Sequence, residues 1–256
     1  MTRVLVLGAG GRMGATVCGA VHDDPELTLA AAVDPAAAGA LDPTSTVTMV
    51  ASLDDVDPAA VDVAVDFTVL AAARVNLDWC ATNGVHVVVG TSGFAEDEVA
   101  AMSASFANSN CIIAPNFAIG AVLMMRFAEL AAPFFPTAEI IELHHDRKVD
   151  APSGTARNTL ERMAAASSDW APDPTEVETV TGARGGAGPG DIRVHSVRLR
   201  GLVAHQEVIL GTEGETLTIR HDSIDRSSFM GGVTLACRRI SQHPGVTLGL
   251  DSYLGL

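Results

Sequence analysis

Lysine is nearly absent from this 256-residue chain. Lys148 is the only lysine among 16 basic residues, and 31 acidic residues give a formal charge of −15. Such a surface disfavours nucleic acid and anionic membranes as partners, because binding to phosphate groups needs clustered cations. An anionic substrate would need a local positive site set against the global field. The surroundings of Lys148 therefore matter, since lysine is a compact charge with movable donors.

Cysteines are few, and long apolar runs are missing. The four cysteines lie apart among apolar neighbours, which is typical of buried thiols and not of a metal centre. No run of about 18 apolar residues occurs, so we expect no transmembrane helix. Because the chain enters a strand pattern at once, we expect no signal peptide and predict a cytoplasmic protein.

Strand and helix patterns alternate through the first 117 residues. Helical patterns lie between the strand patterns, and the helical patterns end at turn residues such as Asn83-Gly84. This alternation predicts an α/β fold with a Rossmann-type, doubly wound parallel sheet. The apolar runs that predict strands lie at 2–7, 27–33, 61–67, 85–89 and 111–114.

The pattern changes after residue 117. Helices are expected near 119–132, from about 153, and over 229–242, whereas 168–190 is rich in Gly and Pro and predicts a loop. A run of strands with little helix between them predicts a second α+β domain built on a mixed sheet. The strand-like runs of this part lie at 137–145, 191–199, 202–210 and 215–221.

A glycine-rich turn, Gly8 to Gly14, lies between the first predicted strand and helix. Its backbone can approach a pyrophosphate, and the helix N-terminus favours anions. Asp34 ends the second strand where a ribose partner is expected, although Met13 departs from the strict motif. The alternative is a tight turn without a ligand. Asp34 favours NAD and Arg12 could offset this preference, so both NADH and NADPH remain open.

The densest cluster of reactive residues runs from Glu142 to Ala156 and holds both His144-His145 and Lys148. A helix start at Ser153 offers N–H groups to a carboxylate, Lys148 offers a charge, and a histidine can deliver a proton. Together these groups suit a dianion that accepts hydride and a proton. In the alternative, one histidine is merely packed, because neighbours on a strand point to opposite faces, and Ser153 is an ordinary N-cap. A metal site is not expected here.

These motifs resemble the 4-hydroxy-tetrahydrodipicolinate reductase family, also called dihydrodipicolinate reductase, over essentially the whole chain. The resemblance implies hydride transfer from NADH or NADPH to the cyclic dicarboxylate 4-hydroxy-tetrahydrodipicolinate, with loss of water, in lysine and diaminopimelate biosynthesis. It also implies a homotetramer. The motifs that carry it are Val6–Gly14, Val65–Thr68, Gly90–Phe94, Ala114–Phe117 and Glu142–Ala156.

The resemblance also implies residue roles. His144 and Lys148 would be catalytic, His144 as proton donor, whereas His145 and the segment Ser153, Gly154 and Thr155 would bind the substrate. Residues 1–117 with 229–256 would bind the dinucleotide, and 118–228 would bind substrate and mediate oligomerisation. The residues implied to hold the cofactor are Gly8, Ala9, Gly10, Gly11, Arg12, Met13, Asp34, Gly90, Thr91, Ser92, Ala114, Pro115, Asn116 and Phe117.

Two alternatives from other classes stay open at this point. One is another pyridine-nucleotide oxidoreductase, such as an amino-acid dehydrogenase that acts on an imine. The other is a dinucleotide-sensing module, which would explain Gly8 to Asp34 but not Lys148 with two histidines. One segment, Ala204–Gln206, departs from the Gly-Glu-His that many family members carry, so its role is in doubt.

Overall fold

A computed structural model describes residues 1–256 and divides into two units. The first unit holds Met1–Ile119 and Arg226–Leu256, and the second holds Gly120–Asp225. The strands and α-helices are, in chain order, β1 Thr2–Leu7, α1 Arg12–Asp23, β2 Leu27–Val33, β3 Val63–Asp66, α2 Leu70–Asn83, β4 His86–Val89, α3 Glu96–Ser105, β5 Cys111–Ile113, α4 Ile119–Ala131, β6 Thr137–His144, α5 Gly154–Ala166, β7 Gly186–Ala187, β8 Arg193–Arg198, β9 Ala204–Thr212, β10 Glu215–Ser223, α6 Met230–Arg239, β11 Val246–Leu248 and α7 Asp251–Leu254.

The sheet of the first unit is parallel throughout, in the order β11-β5-β4-β3-β1-β2. Its central strands are continuous apolar runs, such as the buried Val63, Ala64 and Val65 of β3. Such runs are typical of parallel strands that helices cover on both faces. β2 lies on one side of β1 and β3 lies on the other, so the strand order reverses at β1. At such a reversal a crevice opens beyond the carboxyl ends of the strands.

The sixth strand, β11, was not predicted. After the expected final helix, the chain adds Val246–Leu248 in parallel beside β5. Glycines flank this strand, and both Gly245 and Gly249 have a positive φ. Three residues are too short for a periodic pattern, which is why the sequence indicated no strand here.

The second unit is built on a mixed sheet in the order β10-β9-β6-β8-β7. β6 pairs with β8 in parallel, whereas its pairing with β9 is antiparallel. Helices α4 and α5 supply Ala128, Leu160 and Met163 to the core, and the sheet supplies Ile140 and Val208. The predicted fold class, a doubly wound parallel sheet with a second mixed-sheet domain, is therefore confirmed.

Some predicted bounds differ from the structure. β9 extends to Thr212 instead of residue 210, because a tight turn with Gly214 at φ +85° is enough to reach β10. β6 ends at His144, one residue before the predicted end. The units divide after residues 119 and 225, whereas the predicted breaks follow 117 and 228. None of the helices combines the length and the apolar character that crossing a membrane requires.

Candidate active site

The glycine-rich turn joins β1 to α1 in the first unit. Gly8 has φ +73°, which favours glycine, and the N–H of Gly11 donates to the Gly8 carbonyl at 2.9 Å. A Cβ on Gly14 would lie 2.0 Å from the Gly8 oxygen, so this helix position must stay glycine. No side chain caps α1 at Gly11, which leaves the helix N-terminus to an outside anion. These features fit a dinucleotide pyrophosphate.

Asp34 follows β2 and contacts the same turn. One carboxylate oxygen accepts the N–H of Gly10 at 2.9 Å, and the other accepts the N–H of Ala36 at 2.9 Å. The structure thus brings the predicted ribose partner to the glycine turn. It also gives Asp34 a second task, since the carboxylate holds that turn in place.

A cavity of about 310 Å³ lies beside Gly8 in the first unit. Its size lies at the lower end of the range for small-molecule sites. Val33 and Pro35 line one side, whereas Thr68 and Asn76 line another, and sequence reasoning assigned no role to any of these four. The position after β1 and β2 makes this cavity a candidate for the adenosine end of a dinucleotide.

A buried carboxylate, Asp66, ties together the loops at this edge of the sheet. It accepts the backbone N–H of Thr68 at 2.8 Å, the hydroxyl of Thr68 at 2.7 Å, the amide of Asn76 at 2.7 Å and the hydroxyl of Thr91 at 3.0 Å. The side chain of Thr91, a predicted cofactor residue, therefore points inward. Gly90 before it has no room for a Cβ, which would lie 1.9 Å from the Phe67 ring.

The loops after β4 and β5 hold the remaining predicted cofactor residues. Ser92 and Pro115 are exposed, whereas Ala114 and Phe117 are buried. The ring of Phe117 packs edge-on against Phe67, with 5.8 Å between centroids. Buried members of this set are thus placed to shape the crevice through backbone and packing, and exposed members form its rim.

In the second unit, β6 ends at a histidine that contacts a buried carboxylate. His144 Nδ1 lies 2.5 Å from an oxygen of Glu142, whose side chain is 0% exposed. The guanidinium of Arg198, opposite His144 on β8, donates to both Glu142 oxygens at 2.7 and 2.8 Å. Burial by itself raises the pKa of Glu142. Hydrogen bonds, chiefly from His144 and Arg198, outweigh burial and lower that pKa to about 2.

The strand ends between the two histidines, so they need not face opposite sides of the sheet. His145 begins a turn in which its carbonyl accepts the N–H of Lys148 at 3.2 Å. The Lys148 ammonium lies 2.9 Å from a carboxylate oxygen of Asp150, and this pair holds the pKa of Asp150 below its usual range. The guanidinium of Arg198 also donates to the Asp150 carbonyl, at 2.6 Å.

Helix α5 begins directly after this turn. Ser153 is its N-cap, and the hydroxyl accepts the N–H of Ala156 at 3.2 Å. The Ser153 N–H donates to Glu142 at 3.1 Å, so the helix start is fixed to the buried carboxylate. Gly154 is exposed and Thr155 half-buried, so the first turn of α5 presents backbone N–H groups at the surface. The structure therefore brings together the predicted residues of 144–155 within one turn and one helix start.

Gln206, in the segment that departs from the family pattern, lies inside the second unit. It is 4% exposed, and its amide donates to the hydroxyl of Thr159 at 2.7 Å. The Thr159 hydroxyl in turn donates to the Thr155 carbonyl at 2.8 Å. No three His, Cys, Asp or Glu side chains are grouped so as to hold a metal ion.

A parallel sheet with a glycine-rich turn at its switch point is the fold of a dinucleotide-dependent oxidoreductase. Family models for the N-terminus and the C-terminus of dihydrodipicolinate reductase match residues 2–117 and 120–254. The chain belongs to the dihydrodipicolinate reductase family, as the motifs predicted. Its enzyme class, an oxidoreductase that uses NADH or NADPH, follows from that membership and is confirmed.

Individual relatives agree with this assignment. The chain is 48% identical to the 4-hydroxy-tetrahydrodipicolinate reductase of Cutibacterium acnes, and the match covers 100% of both chains. It is 50% identical to the reductase of Mycobacterium marinum, and this match covers 99% of both chains. A dipicolinate-bound dihydrodipicolinate reductase from Paenisporosarcina sp. TG-14 superposes with a TM-score of 0.86 at 38% identity, over 98% of this chain and 99% of that one. These likenesses favour the reductase over both alternatives.

Proposed function

We propose that the chain reduces 4-hydroxy-tetrahydrodipicolinate to tetrahydrodipicolinate, with the substrate held at the end of β6. The observation that carries the proposal is the ion pair of Glu142 with Arg198, which contacts His144, the turn that carries Lys148 and the start of α5. Membership of the family supplies the reaction. The geometry supplies the groups that this reaction needs, namely a proton donor, a cation and a set of backbone N–H groups.

The substrate carries two carboxylates, and the second unit offers two kinds of group for them. The N–H groups of Gly154 and Thr155 at the start of α5 are placed for one carboxylate, with the positive end of the helix dipole behind them. Lys148 supplies a charge beside this helix start, and His145 lies in the same turn. We assign Ser153 a supporting role, since its hydroxyl caps the helix.

Reduction adds a hydride and a proton to the ring and releases water. Bound NADH or NADPH supplies the hydride. His144 is the proposed proton donor, because its Nδ1 is occupied by Glu142 and its Nε2 remains for the substrate. Histidine is the side chain that most often transfers protons in enzymes, and the contact with Glu142 fixes the orientation of this ring.

The dinucleotide is proposed to lie along the carboxyl ends of β1 to β5. Gly8, Ala9, Gly10, Gly11, Arg12 and Met13 would hold the pyrophosphate, and Asp34 the ribose. The 90–92 and 114–117 loops would line the crevice. Asp34 already accepts two backbone N–H groups, so its orientation is fixed before a dinucleotide binds. Exposed Arg12 in the same turn supports use of NADPH as well as NADH.

We also propose a cytoplasmic homotetramer that assembles through the second unit. The support is the family resemblance and an edge strand, β10, whose Leu217 is exposed and is followed by Ile224, 77% exposed. Light scattering on the purified chain should give about four times the 26.4 kDa of one chain. A monomer mass would contradict the tetramer and leave the proposed reaction untouched.

The test of the proposed reaction uses the condensation product of pyruvate and aspartate semialdehyde, made enzymatically, with oxidation of NADH or NADPH as the readout. The Lys148→Ala variant should lose about 100-fold or more in kcat/KM, while its NADH affinity stays near the wild-type value. Arg147→Ala is the matched control, because it removes an exposed neighbouring charge from the same turn.

Pyridine-2,6-dicarboxylate should compete with the substrate in the wild type and compete weakly in Lys148→Ala. Wild-type protein without turnover on this substrate would overturn the proposed function. Loss of NADH binding in Lys148→Ala would instead place this lysine at the cofactor.

A further inference from the structure

Glu142 is a buried, charged side chain that contacts both His144 and the start of α5. Its two oxygens accept from His144 at the end of β6, from Arg198 on β8 and from the Ser153 N–H at the start of α5. We propose that Glu142, with Arg198, is a positioning residue that sets the donor nitrogen of His144 and fixes the place of the substrate-binding turn. This inference rests on the proposed role of His144 as proton donor.

The charge of Glu142 decides which nitrogen of His144 carries a hydrogen. An ionised carboxylate can only accept, so Nδ1–H must donate to it across the 2.5 Å contact. The neutral ring then has its lone pair on Nε2, and the protonated ring carries its exchangeable proton there. Glu142 therefore directs proton transfer to Nε2 without touching the substrate.

Arg198 keeps Glu142 ionised and also contacts the turn that carries Lys148. The two hydrogen bonds between its planar guanidinium and the carboxylate form the strong, bidentate kind of pair. The same guanidinium donates to the Asp150 carbonyl, in the turn that carries Lys148. The titratable groups that contact Glu142 are thus His144 and Arg198, and the Ser196 side chain gives a further hydrogen bond. One ion pair anchors the strand end, the lysine turn and the helix start.

A second set of the same three residue types surrounds Glu139 of β6 and shows what a purely structural role looks like. Glu139 contacts His195 at 2.6 Å and Arg184 at 2.6 Å, but its side chain is 31% exposed and touches none of the proposed site residues. Glu142 differs in being 0% exposed and in contacting the helix start. Glu139→Gln is therefore the matched control for Glu142→Gln.

The experiment measures kcat, KM and the pH profile of NADPH oxidation for both variants. Glu142→Gln should lower kcat about 10- to 100-fold, with KM for NADPH unchanged, since outer groups that orient a reacting histidine have effects of this size. The alkaline limb of its kcat profile should move to lower pH, because the protonated ring has lost a neighbouring anion. Glu139→Gln should keep the wild-type kcat and profile.

A double variant separates positioning from folding. In a His144→Gln background, Glu142→Gln should cause little further loss in kcat, because the two residues act as one unit. Multiplicative losses, or a Glu142→Gln enzyme with wild-type kcat and profile, would overturn the positioning role. Absence of turnover in the wild type would instead refute the reaction itself.

One measurement needs no variant at the buried position, in case Glu142→Gln does not fold. Nitrogen-15 NMR of histidine-labelled wild type, with His144→Gln to assign the signal, reports which ring nitrogen carries the hydrogen. We expect a hydrogen on Nδ1 of His144. A neutral His144 with its hydrogen on Nε2 would overturn the proposal.

Discussion

Both units organise a loop cluster around a buried carboxylate, but the partners of the two carboxylates differ. In the first unit, Asp66 accepts from a backbone N–H, two hydroxyls and an amide, all of them uncharged. In the second unit, Glu142 accepts from a guanidinium, an imidazole and a backbone N–H. One carboxylate therefore fixes loops through uncharged donors alone, whereas the other also forms an ion pair.

This difference matches the two ligands that the units are proposed to bind, a dinucleotide in the first unit and the substrate in the second. We propose that the first unit meets its ligand mainly with backbone, at the glycine-rich turn and the uncapped start of α1, where loop shape matters most. In the second unit the proposed task of His144 is to move a proton, which requires a fixed donor nitrogen. Uncharged partners suit the first task, and an ion pair suits the second.

The largest expected effect is the acid sensitivity of the Glu142 site. The pKa of Glu142 is about 2 in the folded chain, against an ordinary 4.5. As the pH falls, Glu142 therefore takes up a proton at a higher pH in the unfolded chain than in the folded chain. The ionised carboxylate stabilises the folded chain by on the order of 3 kcal/mol, and this stabilisation is complete above about pH 4.5 and lost towards pH 2.

Urea unfolding of wild type and Glu142→Gln from pH 7 to pH 3 tests this difference. The variant should be less stable by about 3 kcal/mol at pH 7, because Arg198 loses its buried partner, and the gap should narrow as the pH falls below about 4.5. A gap that stays constant down to pH 3 would show that the charge of Glu142 does not contribute to stability.

A smaller effect is expected at the first carboxylate. Asp66→Asn turns one acceptor into a donor that faces donors from Thr68, Asn76 and Thr91, which should cost about 2 kcal/mol of unfolding free energy. NADH affinity should fall with it, because these loops border the cavity beside Gly8. Calorimetric unfolding and fluorescence titration measure the two quantities.

The control for this change is Thr91→Val, which removes one hydroxyl donor and keeps the volume of the side chain. It should cost about 1 kcal/mol, less than Asp66→Asn, and lower NADH affinity less. If Asp66→Asn leaves both stability and NADH affinity unchanged, the carboxylate does not hold the loops.

Features that are local in the sequence could be predicted well. The strands of the first unit are continuous apolar runs, and the cluster from His144 to Thr155 is contiguous, so its members meet through one turn and one helix start. The predicted strand ran to residue 145, whereas β6 ends at His144, so the two histidines need not face opposite sides of the sheet. Ser153 is the N-cap that the alternative interpretation described.

Contacts between distant residues could not be predicted in the same way. Arg198 lies 56 residues from Glu142 in sequence, and only the register of β6 and β8 brings them together. The Asn76 amide and the Thr91 hydroxyl likewise reach Asp66 from 10 and 25 residues away, because their elements meet only in the fold. One signal was available: an acidic residue inside an apolar strand, as at Glu142, needs a buried partner.

The smallest expected effect concerns Asp150, whose carboxylate pairs with the Lys148 ammonium but is 57% exposed. A dianionic substrate would meet this negative charge beside the cation that should attract it. Asp150→Asn should therefore lower KM for the substrate about 2- to 5-fold and leave kcat nearly unchanged, since exposed ion pairs contribute little free energy. The backbone carbonyl that Arg198 contacts is kept in this variant.

Steady-state kinetics at low and high salt measure the effect, and the gain should shrink as salt screens the charges. Asp146→Asn is the control, because Asp146 lies in the same turn but pairs with Arg200, at 3.0 Å. A higher KM in Asp150→Asn would mean that the carboxylate is needed to hold Lys148 in place. Asp150 would then belong with Glu142, as a negative charge that positions a cation, and the contrast between the two units would become stronger.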